Sequence, residues 1–166
     1  DYDGDGATNL LEYDRGTDPT DANDTPVNQP SVIVITEPEA GYTVFQGNYI
    51  YLRADVSDPD SELDRVDFYY GETLIGSDTS VNYGSASRSW YNAPHGTHSL
   101  TARAVDNYGT VTISDPVTIT VLEDTDSDRM EDGWERSHFD DLSQEALGDY
   151  DGDGATNLLE YDRGTD

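Results

Sequence analysis

The sequence predicts a mainly β protein, with an antiparallel β-sandwich in the middle of the chain and small helical segments built on acidic loops at both ends. Three observations predict this architecture. Residues 31–122 alternate apolar and polar side chains in short segments that are separated by turn residues. Asp-x-Asp-x-Asp runs occur near both ends of the chain. Residues 1–18 recur without a change as residues 149–166.

The composition excludes several classes of function. The chain has 166 residues, with 36 Asp and Glu against 8 Lys and Arg, and its formal net charge is −28. This length allows one ordinary domain with small appendages. Because such a charge repels phosphate backbones, we expect no nucleic-acid partner. The absence of Cys excludes disulfides and thiolate metal sites. No apolar run approaches the roughly 18 residues of a membrane span, so we expect none in this segment.

The repeated segment, DYDGDGATNLLEYDRGTD, decides how the chain is divided. We interpret the chain as a slice through a tandem array, with neighbouring repeats of the same chain as partners; a duplication outside an array is the alternative. Residues 1–24 are then the C-terminal half of a preceding loop pair, 25–30 a linker, 31–122 the sandwich and 123–166 a complete loop pair. The first loop lacks the counterpart of residues 124–148. It must pack on the sandwich, stay marginal or borrow a partner from a neighbouring chain.

The acidic loops have the ligand spacing of an EF-hand. Such a loop gives Ca²⁺ oxygens from positions 1, 3, 5, 7 (a backbone carbonyl), 9 (often through water) and 12, with Gly at position 6. Loops 1–12 and 149–160 fill every position, whereas loop 124–135 has Arg129 at position 6. Arg129 must adopt a left-handed conformation or the turn must differ, so we expect weaker binding there. The predicted ligands are Asp1, Asp3, Asp5, Ala7, Asn9 and Glu12; Asp124, Asp126, Asp128, Met130, Asp132 and Glu135; and Asp149, Asp151, Asp153, Ala155, Asn157 and Glu160.

Calcium fits these loops better than other ions. Mg²⁺ prefers fewer protein oxygens, and transition metals are disfavoured because neither Cys nor His lies near the loops. A solvated acidic surface is the alternative, but a Glu at position 12 of all three loops argues against it. The sequence therefore predicts EF-hand-like loops that bind about three Ca²⁺ ions.

A short apolar segment follows each loop. We expect residues 124–164 to form a compact loop pair around a small core. Because this core is too small to be stable alone, we expect metal binding and folding to be coupled. Its predicted members are Trp134, Phe139, Leu158, Leu159 and Tyr161.

Residues 124–166, DTDSDRMEDGWERSHFDDLSQEALGDYDGDGATNLLEYDRGTD, resemble the bacterial thrombospondin type 3-like repeats, which share their loop pattern with dockerins. The resemblance also covers residues 1–24, and it implies calcium-dependent structural connectors in secreted or surface proteins. Docking onto a cohesin, as dockerins do, is the minority alternative because the two loops of the pair differ. The resemblance further implies that Asp18, Asp21 and Asp24 add ligands.

Seven or eight short strands are expected within residues 31–122. Segments rich in Gly, Pro, Asn and Asp separate them, and no Cys pair links the sheets. The strand candidates are Val32–Thr36, Tyr49–Val56, Arg65–Tyr70, Thr73–Ile75, Arg88–Tyr91, Ser99–Ala104, Thr110–Ile113 and Val117–Val121.

Two segments of this region, ADVSDPDSELDRVDFYYGETLIGSDT and GTHSLTARAVDNYGTVTISDPVTITV, resemble the bacterial Ig-like domains of extracellular hydrolases and large surface proteins. The resemblance implies an Ig-like antiparallel β-sandwich that acts as a spacer or stalk, or in some proteins as a binding module. Core and turn residues carry the match, so it informs the fold more than the function.

A fourth calcium site is one candidate within the sandwich. Asp55, Asp58, Asp60 and Asp106 follow or end strands and would meet at one end of the sheets. The alternative is that these aspartates stabilise turns.

An aromatic face for sugar stacking is the other candidate. It would contain Tyr69, Tyr70, Tyr83, Trp90 and Tyr91, for which the alternative is a role in the core and in cross-strand pairs. We expect His95 and His98 to be exposed, and no nucleophile and orienting acid accompany them.

The sequence thus predicts a calcium-binding extender repeat of a large secreted or cell-surface bacterial protein, with no enzyme activity. In this hypothesis Ca²⁺ makes the joints between Ig-like domains rigid, as in the stalk of an adhesin. The alternative is an Ig-like module of an extracellular hydrolase whose partner is a glycan or a surface protein.

Overall fold

The computed structural model describes residues 1–59, 63–81, 84–107 and 109–165. Within these residues the chain forms nine strands and three short helices. In chain order they are α1 (Asn9–Arg15), β1 (Val32–Glu37), β2 (Thr43–Phe45), β3 (Ile50–Ser57), β4 (Leu63–Tyr70), β5 (Thr73–Asp78), β6 (Ser85–Trp90), β7 (Gly96–Asp106), β8 (Val111–Ile113), β9 (Val117–Leu122), α2 (Asp132–His138) and α3 (Asn157–Arg163).

The strands form two sheets that enclose one core. The smaller sheet has the order β1-β3-β6, and the larger has the order β2-β9-β7-β4-β5, with β8 paired to β7. All pairs are antiparallel except β2 and β9, which run parallel. This arrangement confirms the mainly β, antiparallel sandwich.

Alternating burial along the strands builds the core. In β3 the side chains of Ile50, Leu52, Ala54 and Val56 are buried and those between them are exposed, because successive side chains of a strand point to opposite faces. From the larger sheet, Phe68 packs into the same core. The other buried apolar members include Ile33, Ile35, Val66, Trp90, Leu100, Ala102, Ala104, Ile119 and Val121.

All eight predicted strands are present, with shifted ends, and one strand was missed. β2 has only three residues, Thr43–Phe45, which are too few to show the alternating pattern of a strand in the sequence. β7 extends the predicted segment Ser99–Ala104 at both ends.

The three helices have seven residues each and follow the acidic loops. Thr8 and Thr156 cap the N-termini of α1 and α3, each by accepting a hydrogen bond from the amide three residues later. Gly16 and Gly164 end these helices in the left-handed conformation. None of the helices in the described residues has the length and apolar character needed to cross a membrane.

Candidate metal centres

Each of the three acidic loops gathers three aspartates around one point. Within each group one oxygen per carboxylate lies within 4.8 Å of the others. These aspartates occupy positions 1, 3 and 5 of the predicted loops, so folding brings together the residues that the spacing selected. The groups are Asp1, Asp3 and Asp5; Asp124, Asp126 and Asp128; and Asp149, Asp151 and Asp153.

Amides of the loop hold the aspartates in place. In the first loop Gly4 N–H donates to Asp1 Oδ1 at 2.7 Å, and Ala7 N–H donates to Asp5 Oδ1 at 2.7 Å. The loop of identical sequence at residues 149–160 repeats both bonds at 2.7 Å. The remaining oxygens of Asp3 and Asp5 are buried and accept no hydrogen bond from the described residues. The carboxylates therefore keep oxygens available for a cation.

The same turn forms in all three loops, although one of them has no glycine at positions 4 and 6. Gly4 and Gly6 have φ of +81° and +102° in the first loop. Ser127 and Arg129 occupy the same positions of loop 124–135 with φ of +66° and +77°. Arg129 thus adopts the left-handed conformation, at a cost of about 1 kcal/mol per non-glycine residue.

Position 12 places a buried carboxylate beside each aspartate group. Glu12 and Glu135 are fully buried, and Glu160 is nearly so. Both carboxylate oxygens of Glu12 and of Glu135 accept no hydrogen bond from the described residues. A buried carboxylate that is neither paired nor hydrogen-bonded is strongly destabilising, so these two require a cation or a proton.

The electrostatics of these glutamates reflect their surroundings. The pKa of Glu135 is raised to about 7, chiefly by burial and also by repulsion from four aspartates of the same loop. Burial also raises the pKa of Glu12 and of Asp128, again with neighbouring carboxylates adding to the rise. A nearby cation would lower these pKa values by favouring the charged form.

Position 7 was predicted to offer a backbone carbonyl. The amides of Ala7, Met130 and Ala155 donate to the carboxylates at position 5, at 2.7, 2.9 and 2.7 Å respectively, which fixes these peptides beside the aspartates. The Met130 side chain is fully buried. Sequence reasoning missed this core residue because only its backbone entered the ligand pattern.

In both loops of the pair, the side chain at position 9 acts as a brace: it accepts hydrogen bonds from the residue at position 2 of the same loop. Asp132 accepts hydrogen bonds from Thr125 N–H at 2.7 Å and from the Thr125 hydroxyl at 2.6 Å, and it pairs with Arg136 at 3.0 Å. Although burial opposes it, these contacts hold the pKa of Asp132 below its usual range. Asn157 Oδ1 accepts from Tyr150 N–H at 3.0 Å in the same way. These side chains therefore fix the second residue of each loop.

An aromatic cluster joins the two loops of the pair. The Trp134 ring meets the rings of Phe139 and Tyr161 edge-on, with centroids 5.3 and 5.2 Å away, and His138 stacks on it at 4.3 Å. Leu158 is half-buried, as a core member should be. The fifth predicted core member, Leu159, is instead 37% exposed.

The three acids after α1 form turns. Asp18 accepts from Thr20 N–H at 3.0 Å, and Asp24 accepts from Asp18 N–H at 3.0 Å. Hydrogen bonds from the Asn23 side chain and amide lower the pKa of Asp21. All three acids are exposed, and no aspartate group among the described residues includes them.

The sandwich aspartates also serve as turn and linker contacts. Asp106 accepts from Asn28 Nδ2 at 2.6 Å and from Thr110 N–H at 2.7 Å. Asp58 accepts from the Ser31 hydroxyl at 2.6 Å. Asp55 lies 3.6 Å from an Arg53 nitrogen. Among the described residues Asp55, Asp58 and Asp106 form no carboxylate group like those of the loops; Asp60 lies outside these residues.

The predicted aromatic face is divided between core and surface. Trp90 is buried and stacks on Tyr70, with centroids 4.6 Å apart. The Arg103 guanidinium covers the Tyr69 ring at 4.0 Å. Tyr91 is 65% exposed, and Tyr83 lies outside the described residues.

The two histidines differ. His95 is exposed, whereas His98 is half-buried, which corrects the expectation that both are exposed. His98 Nε2 lies 2.6 Å from the Pro94 carbonyl oxygen, and its ring meets Trp90 edge-on at 5.4 Å.

Comparisons with known proteins bear on the sandwich. Residues 30–102 match the family model described as Bacterial Ig domain. The fibronectin(III)-like modules of Clostridium thermocellum CbhA are similar, with 29% identity and a TM-score of 0.50 over 55% of this chain and 96% of that chain. The sandwich is therefore similar to Ig-like domains, and we refer to it below as the Ig-like domain. An endo-β-1,4-mannanase from Thermotoga petrophila has 14% identity and a TM-score of 0.47 over 58% of this chain and 20% of that chain. No curated protein matches the sequence.

The Ig-like domain passes directly into the loop pair. Strand β9 ends at Leu122, and the carbonyl of Glu123 accepts a hydrogen bond from Asp132 N–H at 3.0 Å. The ring of Phe45, at the end of β2, lies 6.5 Å from the ring of Tyr161. The loop pair therefore lies against the β2–β9 edge of the Ig-like domain.

Proposed function

We propose that the chain is a calcium-binding extender repeat of a large secreted or cell-surface bacterial protein, such as an adhesin-like stalk, with neighbouring repeats as its partners. The observation that carries the proposal is the burial of Glu12 and Glu135 without a hydrogen bond from any described residue, each in a loop with three clustered aspartates. Ca²⁺ binds six to eight oxygens in flexible geometry, which suits such a set.

Each loop would supply carboxylates from positions 1, 3, 5 and 12 and a carbonyl from position 7. For the second loop these residues are Asp124, Asp126, Asp128, Glu135 and Met130. The positions 9 that brace the loop pair, Asp132 and Asn157, are not needed as direct ligands in this proposal. Three loops give three Ca²⁺ ions.

The proposed role of the ion is to stiffen the joint after β9. Without a cation the four carboxylates of a loop repel one another, and the glutamate at position 12 is buried unfavourably. Ca²⁺ removes both penalties, which favours the closed loop. Closure of loop 124–135 positions Trp134, which holds Tyr161 beside Phe45 of the Ig-like domain.

Calorimetric titration of the metal-free chain tests the proposal. We expect about three sites, and we expect Glu12→Gln and Glu135→Gln each to weaken one of them. Glu72→Gln, at an exposed turn of the Ig-like domain, is the matched control and should leave all sites intact. Melting of the loop pair should shift upward with Ca²⁺. Absence of heat on titration together with equal melting in chelator would refute calcium binding.

Binding of a glycan or of a partner protein is the second candidate function, with the Ig-like module attached to an extracellular hydrolase. The observation that favours it is an exposed tyrosine pair, Tyr49 and Tyr91, whose ring centroids lie 6.0 Å apart. Exposed aromatic rings stack on sugars and are enriched at interfaces. A glycan array probed with the chain and with Tyr91→Ala tests it. Tyr42→Ala, another exposed tyrosine, is the control, and equal signals from all three proteins would exclude a role of this pair.

A further inference from the structure

The repeated segment folds in the same way at both ends of the chain. Helices α1 and α3 have the same sequence, the same threonine cap and the same left-handed glycine at the C-terminus. Their loops share the same hydrogen bonds from glycine and alanine amides, and Glu12 and Glu160 are both buried. Any difference between the two copies therefore comes from their neighbours.

Residues 123–148 cover the second copy. The amides of Asn157 and Leu158 donate to the carbonyls of Gly148 and Ala146 at 2.8 and 3.0 Å. Asn157 Nδ2 also donates to the Glu145 carbonyl at 3.0 Å, and its side chain is fully buried. The ring of Tyr161 packs on Trp134 from the same segment. One face of α3 is thus a docking face for residues 123–148.

The same face of α1 is exposed. Leu10 is 69% exposed and Tyr13 is 79% exposed, and Asn9 is exposed as well, unlike its counterpart Asn157. The helix is held from another side, where the Arg15 guanidinium donates to the Val27 carbonyl at 3.1 Å. The linker therefore holds α1 with this apolar face open.

We propose that this face of α1 binds a second copy of residues 123–148, supplied by another repeat. The occupant is defined by the chain itself, because an identical helix and loop are seen covered by that segment. Asn9 and Leu10 would take the carbonyl partners of Asn157 and Leu158, and Tyr13 would take the Trp134 contact of Tyr161. The inference rests on the proposed function in one respect. The added segment and α1 are both attached to acidic loops that repel each other, and bound Ca²⁺ would neutralise this repulsion.

The test adds a copy of residues 123–148 directly before Asp1 and measures amide hydrogen exchange in Ca²⁺. In the unextended chain we expect Asn9 and Leu10 to exchange at least tenfold faster than Asn157 and Leu158. In the extended chain we expect the exchange of Asn9 and Leu10 to slow to the rate of Asn157 and Leu158. Leu10→Ser with Tyr13→Ser should abolish the slowing, yet leave the unextended chain unchanged because both side chains are already exposed there.

A control extension carries the equivalents of Trp134→Ala and Phe139→Ala, which keeps every acid but removes the aromatic contacts. We expect no slowing with it. Equal exchange of the two copies in the unextended chain would overturn the proposal. Fast exchange of Asn9 and Leu10 in the extended chain would also overturn it, provided that the loop within the added segment binds Ca²⁺. Slowed exchange without any calcium heat would instead keep the docking and refute the calcium sites.

Discussion

The rings of Tyr161 and Trp134 meet edge-on, with centroids 5.2 Å apart, and this contact links the two loops of the C-terminal pair. Tyr13 is the same residue of the same repeated segment, and it lies 79% exposed at the other end of the chain. The chain therefore contains matched positions that separate the effect of a sequence from the effect of its surroundings.

Tyr161→Ala should destabilise the loop pair, and Tyr13→Ala should not. Loss of a half-buried aromatic side chain and its ring contacts should cost about 2 kcal/mol, whereas a change at an exposed position stays within about 0.5 kcal/mol. Chemical denaturation in Ca²⁺, followed by Trp fluorescence, measures the difference. Equal effects at the two positions would contradict the role of the Trp134 contact.

Asn157→Ala should likewise be costly, whereas Asn9→Ala should be silent. The first change leaves the Tyr150 amide and the Glu145 carbonyl without their partner, at about 1–3 kcal/mol for each buried group that stays unpaired. Asn9 is exposed and makes no such contact among the described residues. Thermal melting of the two variants gives the comparison. An unchanged melting temperature for Asn157→Ala would refute the stabilising role of the side chain at position 9.

Arg129→Gly should stabilise loop 124–135 by about 1 kcal/mol, because glycine adopts a positive φ without strain. We expect tighter Ca²⁺ binding in this loop, by about fivefold if the strain is relieved only in the closed loop. Gly154→Ala, at φ +98° in the loop of residues 149–160, should have the opposite effect. Calorimetry of both variants measures the change; weaker binding after Arg129→Gly would show that the guanidinium itself contributes.

The metal-free chain should lose stability as the pH rises from about 4.5 to about 7. Glu135 has a folded-state pKa of about 7, above its usual value, so below about pH 4.5 it is protonated in both states and contributes nothing. Between these values the unfolded state loses its proton first, and the destabilisation grows to at most about 3 kcal/mol above pH 7. Urea denaturation in chelator from pH 4.5 to 8 measures this slope.

Glu135→Gln should flatten that slope, and Glu72→Gln should not. Ca²⁺ should remove the slope in the native chain by holding Glu135 ionised. The same linkage predicts proton release on Ca²⁺ binding near pH 7, which calorimetry in buffers of different ionisation enthalpy measures. Identical heats in all buffers would contradict the raised pKa of Glu135.

Local patterns predicted most of the fold. The strands of the sandwich have clear alternation, and each loop carries its own ligand spacing and its own helix cap, so short-range information was sufficient. The strand β2 was missed because Thr43–Phe45 is ordered by its pairing with β9 rather than by a pattern of its own. Burial of Met130 depends on tertiary packing that spacing does not encode.

Long-range contacts explain the other differences. Asp106 and Asp58 are acceptors for Asn28 and Ser31 of the preceding segment, and a single sequence gives no sign of these pairs. Asp132 has the spacing of a ligand, and the structure adds hydrogen bonds to it from Thr125 at position 2 of the same loop, which spacing alone does not indicate. Residue type and spacing identified the acidic loops, whereas the role of each oxygen required coordinates.

The parallel pairing of β2 with β9 has a consequence for how the domain would respond to a pulling force. The backbone leaves the Ig-like domain through β9, and bonds such as Thr120 N–H to the Tyr42 carbonyl at 2.9 Å and Gln46 N–H to the Leu122 carbonyl at 2.9 Å cross that exit. A pull along β9 loads these bonds in shear, together rather than one after another. β2, the short strand that the sequence did not reveal, is therefore one of the two strands, with β7, whose hydrogen bonds a pull on β9 would load.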